Sequence, residues 1–159
     1  MFVRKKEKSS DVSKAKNSAI AFLARREYSK QELYQKLFLR YTKEASLEAL
    51  SYCISNNYQS DFRYSQMLCR HTVNQFYGPL RLLRDAKIKG ISSSLIQSFI
   101  DETDWDEIAK EFLFKKYTKE ELSAYEQSQK VLASLARRGF SNSSCIRALE
   151  LAKESFDVS

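Results

Sequence analysis

The sequence predicts an all-α protein made of tandem three-helix, helix-turn-helix-like repeats, and three observations lead there. Three glycines and one proline in 159 residues leave little turn chemistry for a sheet of many hairpins. Apolar residues recur at helical spacing along most of the chain. The segment Leu23-Ala24-Arg25-Arg26-Glu27-Tyr28-Ser29 returns as Leu135-Ala136-Arg137-Arg138-Gly139-Phe140-Ser141, 112 residues later. Each copy places an apolar stretch, two arginines, an aromatic residue and then a serine where a helix can begin, which reads as one helix-turn-helix unit used at both ends. The length suits one ordinary domain or a short array of small helical units.

Residues 1–13 are charged, serine-containing and aperiodic, the composition of a mobile basic arm. Ile20, Leu23 and Ala24 then mark a first helix ending near Arg26. Ser29 with Glu32 three residues on is a capping box for a second helix whose Leu33 and Leu37 face inward. Leu47, Leu50 and Ile54 mark a third, completing a repeat over 14–58. The next repeat, 59–102, opens with Asp61 as N-cap of a helix carrying Tyr64, Met67 and Leu68. Gly78-Pro79 starts a helix with Leu82, Leu83 and Ala86 inward, Gly90 stops it, and Ser92 or Ser93 caps another with Leu95, Ile96, Phe99 and Ile100. In 103–156, Asp104 with Glu107 caps a helix of Trp105, Ile108 and Phe112. Thr118 with Glu121 caps one running through Leu122, Tyr125, Leu132 and Leu135, and Ser141 starts the last, through Ile146 and Leu149. Nine helices in three sets of three result. The arginine pair ends the first helix of the first repeat but the second helix of the last, so one repeat is expected to carry its extra helix elsewhere.

The net charge of +7 points to a polyanion or an acidic protein surface as partner. It is distributed in blocks: residues 1–16 carry +4, residues 63–89 carry +5, and residues 101–126 carry −5. In the middle block Arg70, Arg81, Arg84, Lys87 and Lys89 are opposed by Asp85 alone. Solvated helix faces usually mix signs, so this block reads as a binding surface. Each arginine of the pairs taken singly fits a cation at a helix C-terminus, about 0.3–1 kcal/mol. The recurrence of the whole segment is what raises a shared surface role to equal standing. Tyr77 would either stack on a base or pack in the core.

Several function classes are disfavoured. Cys53, Cys69 and Cys145 lie far apart beside apolar residues and read as buried free thiols in a reducing compartment, and with His71 the only histidine a metal site is not expected. No catalytic constellation is seen: the carboxylates between Asp101 and Glu126 have no acid/base spacing, and no glycine-rich phosphate loop exists for ATP. No cofactor is expected. Nothing resembles a signal peptide and no apolar run approaches the roughly 18 residues that span a bilayer, so a cytoplasmic protein without membrane contact is expected.

The Leu23–Ser29 segment with Glu32-Leu33 and Lys36-Leu37, then Asp61-Phe62-Arg63-Tyr64, Tyr77-Gly78-Pro79-Leu80-Arg81, Lys89-Gly90-Ile91, Asp104-Trp105 and Leu135–Phe140, in that order and spacing, resemble the RecX family of bacterial recombination regulators over about residues 15–155. Where that family usually has tyrosine-leucine-aspartate-aspartate this chain has Tyr58-Gln59-Ser60-Asp61, and Asp85-Ala86 stands where glutamate-leucine is common. The resemblance implies an elongated, curved molecule and a non-catalytic regulator that lodges in the groove of the RecA filament on single-stranded DNA, limiting its growth, ATP hydrolysis and strand exchange. Binding roles carried over by it fall on Arg25, Arg26, Arg81, Arg84, Arg137 and Arg138. Single-stranded DNA, and also double-stranded DNA, would be met weakly or through RecA. No heptad seam points to a coiled-coil dimer, and a monomer is expected. The residues alone leave open a helix-turn-helix module acting directly on DNA, for which the basic middle block and the recurring turn argue, and a plain assembly adaptor.

Overall fold

The computed structural model describes residues 5–157. Among the described residues ten α-helices succeed one another: α1 (Val12–Arg25), α2 (Lys30–Phe38), α3 (Lys43–Ser55), α4 (Asp61–Asn74), α5 (Pro79–Ile88), α6 (Gln97–Glu102), α7 (Trp105–Lys116), α8 (Lys119–Ser123), α9 (Ser128–Arg137) and α10 (Asn142–Phe156). Two 3₁₀ turns, Ser93–Leu95 and Tyr125–Gln127, precede α6 and α9. Among the described residues no strand forms, as the all-α expectation required; the extended pairing present is one isolated parallel bridge between Ser9 and Tyr41. The chain divides into two compact units, one through Ser65 with Ile88–Ile91 added, the other Gln66–Lys87 with Ser92 onward.

In the first unit α1 packs chiefly on α3 through small residues: Ala15, Ala19, Ala45 and Ala49 are all buried, joined by Leu33, Leu37 and Cys53. This seam sets the inward face of α3, with Leu50 packed against it. Leu47 and Ile54 are 45% and 44% exposed, because the alanines on the other side of the helix make the close contact. Tyr41 closes one end, its hydroxyl donating to Lys14 O (3.2 Å) and pairing with Ser18 Oγ (2.6 Å).

The expected mobile arm over 1–13 also needs correction. Residues 1–4 lie outside the described part, but Ser9 is tied to both sides of Tyr41, its amide donating to Arg40 O and its carbonyl accepting from Thr42 N (2.9 Å each). Asp11 then caps α1 by accepting from Lys14 N at 3.1 Å. Anchored backbone therefore begins several residues before the expected boundary.

Capping was legible where it is local. Ser29 and Glu32 form a reciprocal capping box, Thr118 and Glu121 form another, and Asp104 and Ser141 cap α7 and α10. Asp61 is an exception: Ser60 caps α4 by accepting from Arg63 N (3.2 Å), and Asp61 Oδ1 instead accepts from Lys30 N, the first residue of α2 (2.9 Å). Ser92 makes no capping bond, and its region enters α6 through the 3₁₀ turn.

The second unit is centred on α10, which packs on α7, α8 and α9. Ala109, Leu113, Leu122, Val131, Leu135, Phe140, Ala148 and Ala152 are buried there, and Trp105 Nε1 donates to Ile100 O at 2.9 Å. The single helix expected from Thr118 to Leu135 is broken at Ala124, which is extended (ψ 117°), and Tyr125 beside the break is 85% exposed. At about 100° per residue, Leu122 and Val131 would fall on opposite sides of a straight helix. The break lets both be buried.

Gly78 and Gly139 cross at contact distance. A Cβ on Gly78 would lie 2.3 Å from Gly139 O, and one on Gly139, whose φ is +96°, would lie 2.6 Å from Arg81 N. Gly139→Ala is therefore expected to combine backbone strain with a backbone clash and to lower stability by more than about 2 kcal/mol, measured by urea unfolding, with the loss confined to unfolding free energy rather than helix content before the transition.

Candidate partner interface

The two copies of the repeated segment share their buried aromatic residue and capping serine but turn differently, since Arg26 is extended (φ −163°, ψ 168°) whereas Arg138 stays helical (φ −82°, ψ −4°) and Gly139 takes a positive φ of 96°. Tyr28 and Phe140 are buried, and Ser29 and Ser141 cap the following helices. In both copies the second arginine is engaged within its own unit. Arg26 lies 3.6 Å over the Tyr28 ring, donates to Glu27 O (2.8 Å) and pairs with Glu32 (3.3 Å). Arg138 donates to Phe76 O (2.9 Å) and to Gln75 O, with Tyr77 and Phe112 rings 4.5 and 4.6 Å from its guanidinium. Arg25 and Arg137 are exposed at the ends of α1 and α9 and make no ion pair among the described residues.

The basic middle block separates in the same way. Lys89 reaches Glu32 at 3.2 Å, and Arg63 is held by Glu27 (2.9 Å), Asn57 (3.0 Å) and Tyr58 O (3.0 Å). Arg81 pairs with Asp85 (3.0 Å) and lies 4.3 Å over Tyr77, so Tyr77 has guanidinium groups on it from both Arg81 and Arg138 and is not an open stacking surface. Arg84, 64% exposed, only grazes Asp85 at 3.9 Å. Arg70 and Lys87 are exposed without an ion pair among the described residues. The face of α5 that the periodicity turns inward includes Leu83, yet Leu83 is 37% exposed and only Leu82 and Ala86 are buried.

Of the nine basic residues singled out by sequence, Arg26, Arg81, Lys89 and Arg138 thus hold the fold, and Arg25, Arg70, Arg84, Lys87 and Arg137 present charge to solvent. The second unit carries Arg70, Arg84, Lys87 and Arg137. In the first unit, a cleft lined by Lys6, Glu7, Ser9, Lys14, Leu39, Arg40 and Tyr41 joins two cations of the basic block over residues 1–16 to Arg40, which the sequence had no way to group with them because it comes from the turn before α3.

Glu32 is a residue whose importance local spacing could not reveal beyond its cap. Burial pushes its carboxyl up, but hydrogen bonds from the Ser29 amide, Lys89, Tyr64 and Arg26 outweigh that and hold it below the ordinary carboxylate range. The three cysteines are free and buried, and desolvation raises each thiol above its usual value, the opposite of what a nucleophile needs. Among the described residues no group of three His, Cys, Asp or Glu side chains is placed to hold a metal ion, and no helix is long and apolar enough to cross a membrane.

Residues 15–53 match the family model for the first three-helix domain of RecX, and residues 102–149 match that for the third. The chain is 33% identical over 148 residues to the regulatory protein RecX of Legionella pneumophila (strain Corby), covering 91% of this chain and 99% of that one. It is 32% identical over 143 residues to regulatory protein RecX of Vibrio campbellii, covering 88% and 92%. Among solved structures, RecX from Lactobacillus salivarius superposes with a TM-score of 0.77 at 21% identity over 90% of this chain and 97% of that one. A second crystal structure of a regulatory protein RecX gives 0.73 at 21% identity, over 90% and 71%.

Two expectations follow from the geometry. Arg138→Ala leaves the Phe76 and Gln75 carbonyls without their donor and should cost about 1–3 kcal/mol in urea unfolding, whereas Arg137→Ala should stay within about 0.5 kcal/mol. Because the folded-state pKa of Glu32 is depressed, its stabilisation is complete above the unfolded carboxylate range and is lost as pH falls through the folded value. Glu32→Gln should therefore destabilise at neutral pH by at least about 1 kcal/mol and converge with the parent as the pH is lowered and the Glu32 carboxylate protonates, as read from denaturation midpoints across the acidic range.

Proposed function

The chain belongs to the RecX family of regulatory proteins, and from that premise we propose that it binds the RecA filament assembled on single-stranded DNA, lodging in the filament groove and limiting growth, ATP hydrolysis and strand exchange. The reading is of a non-catalytic regulator acting as a monomer in the cytoplasm, where RecA filaments form. The observation that supports it best is a set of exposed cations, Arg70, Lys87 and Arg137 in the second unit and Arg25 in the first, that make no ion pair among the described residues, together with Arg84, whose contact with Asp85 is long at 3.9 Å. A filament surface rich in carboxylates or phosphates supplies the charge these groups lack, and such complementarity speeds and orients docking more than it adds affinity.

The tandem arrangement belongs to the same proposal, with three-helix repeats at 14–58, 59–102 and 103–156. The matches over 15–53 and 102–149 support the outer two. A helix-turn-helix module acting on DNA by itself is the second reading, favoured by the same exposed cations on α4 and α5, with single- or double-stranded DNA as its ligand.

RecA ATP hydrolysis on single-stranded DNA, titrated with this protein and compared with its binding to that DNA alone, separates the two. Inhibition at concentrations where naked DNA is hardly bound is the expected result, and tight DNA binding without a RecA-specific effect would favour the module. Arg84→Glu with Lys87→Glu should weaken inhibition about tenfold with unchanged far-UV circular dichroism. Arg81 is unsuitable for this test, since reversing it also breaks the Asp85 pair.

A further inference from the structure

The outward side of α5 carries apolar and cationic groups together. Leu80, Leu83, Arg84 and Lys87 stand at i, i+3, i+4 and i+7, within an arc of about 100° on the helix and turned away from the buried Leu82 and Ala86. Leu80 is 54% exposed, Leu83 37%, and the Arg84 side chain 64%. The helix bearing them is held in place: Leu80 N donates to Gly139 O (3.0 Å), Gly78 N donates to Arg138 O (2.8 Å), and Arg81 is clamped to Asp85 on the neighbouring flank. A single exposed leucine needs no explanation. Two on one stripe, interleaved with two cations whose nearest acid is already engaged by Arg81, make a surface of defined chemistry.

We propose that this stripe docks an acidic, amphipathic helical segment of a protein partner, the leucines seating apolar side chains while Arg84 and Lys87 pair with carboxylates. The proposal rests on the reading that the chain acts on the RecA filament, and adds that the α5 contact is with protein rather than with DNA. A phosphate backbone offers charge at this spacing but nothing for Leu80 and Leu83 to bury against, and faces that track nucleic acid place polar or cationic groups at such positions. Single strands are held by open aromatic faces, and the stripe has none, Tyr77 being covered by Arg81 and Arg138. A helix with apolar side chains at i, i+3 or i+4 and i+7 and flanking carboxylates satisfies both parts of the stripe.

The two contributions differ in their response to salt, which gives the test. Leu80→Ser with Leu83→Ser and, separately, Arg84→Glu with Lys87→Glu would be made in the full chain and checked for fold by circular dichroism. Binding would be measured to RecA filaments on single-stranded DNA, to the same DNA without RecA, and to a synthetic amphipathic helical peptide with leucines on one face and glutamates beside them. The leucine pair is expected to weaken filament and peptide binding about tenfold or more at both low and high salt, with binding to naked DNA unchanged. The charge pair should lose affinity mainly at low salt. Unchanged filament and peptide binding by the folded leucine variant, or an equal loss on naked DNA, would overturn the proposal. So would a self-association of the parent, seen by sedimentation velocity, that the leucine variant abolishes. If the parent chain ignores the filament but binds the peptide through the leucines, the regulatory reading falls and the stripe stands.

Discussion

Each repeated turn ends one helix and begins another, and its backbone groups have to be satisfied by atoms from distant parts of the chain. Tyr28 O accepts from Gln59 Nε2 and Lys30 N donates to Asp61 Oδ1, so the first turn is completed by the residues that open α4. Gly139 O accepts from Leu80 N and Arg138 O from Gly78 N, so the second is completed by the residues that open α5. A buried polar group without a partner costs about 1–3 kcal/mol, and these bonds remove that penalty at both turns. The glycine crossing in the second unit follows from the same requirement. The strands of backbone must approach closely enough to bond, and only a residue without Cβ leaves room.

This requirement also sorts the charge. Completing a turn places the second arginine of each pair next to carbonyls and rings that hold it, so Arg26 and Arg138 become part of the scaffold. Arg25 and Arg137, one residue earlier, are exposed and make no ion pair among the described residues. Counting charge along the chain assigned +5 to residues 63–89 without distinguishing these roles. In the folded chain Arg63, Arg81 and Lys89 are neutralised by Glu27, Asp85 and Glu32. What remains is a smaller set of cations, and on α5 they stand beside leucines. A surface of that kind recognises by shape and desolvation as well as by field.

Helical periodicity proved reliable for the existence of a helix and less so for its orientation. In α3 the apolar residues at i, i+3 and i+7 announced the helix correctly, but the alanine seam against α1 took the inward side, because small residues let two backbones approach and exclude water over a wider contact. In the segment from Thr118 to Leu135 the period continued through a break that burial of both Leu122 and Val131 demanded. Periodicity records which side chains are apolar. Competition among neighbouring helices for those faces is decided only in three dimensions.

The sequence by itself determined that the chain is helical, where most helices begin, that the turn at Tyr28 returns at Phe140, and which residues are basic. These are local properties: hydrogen-bond capping within a few residues, the shortage of glycine and proline, and pattern repetition. Tertiary structure alone decided that Asp61 accepts from the first amide of α2 instead of capping α4, that Glu32 takes Lys89 as a partner, and that Leu83 stays outside while Leu82 is buried. Each of those outcomes depends on a partner at least a helix away in the chain, and the spacing of residues along a sequence carries no information about which distant group will arrive to complete a bond or cover a face.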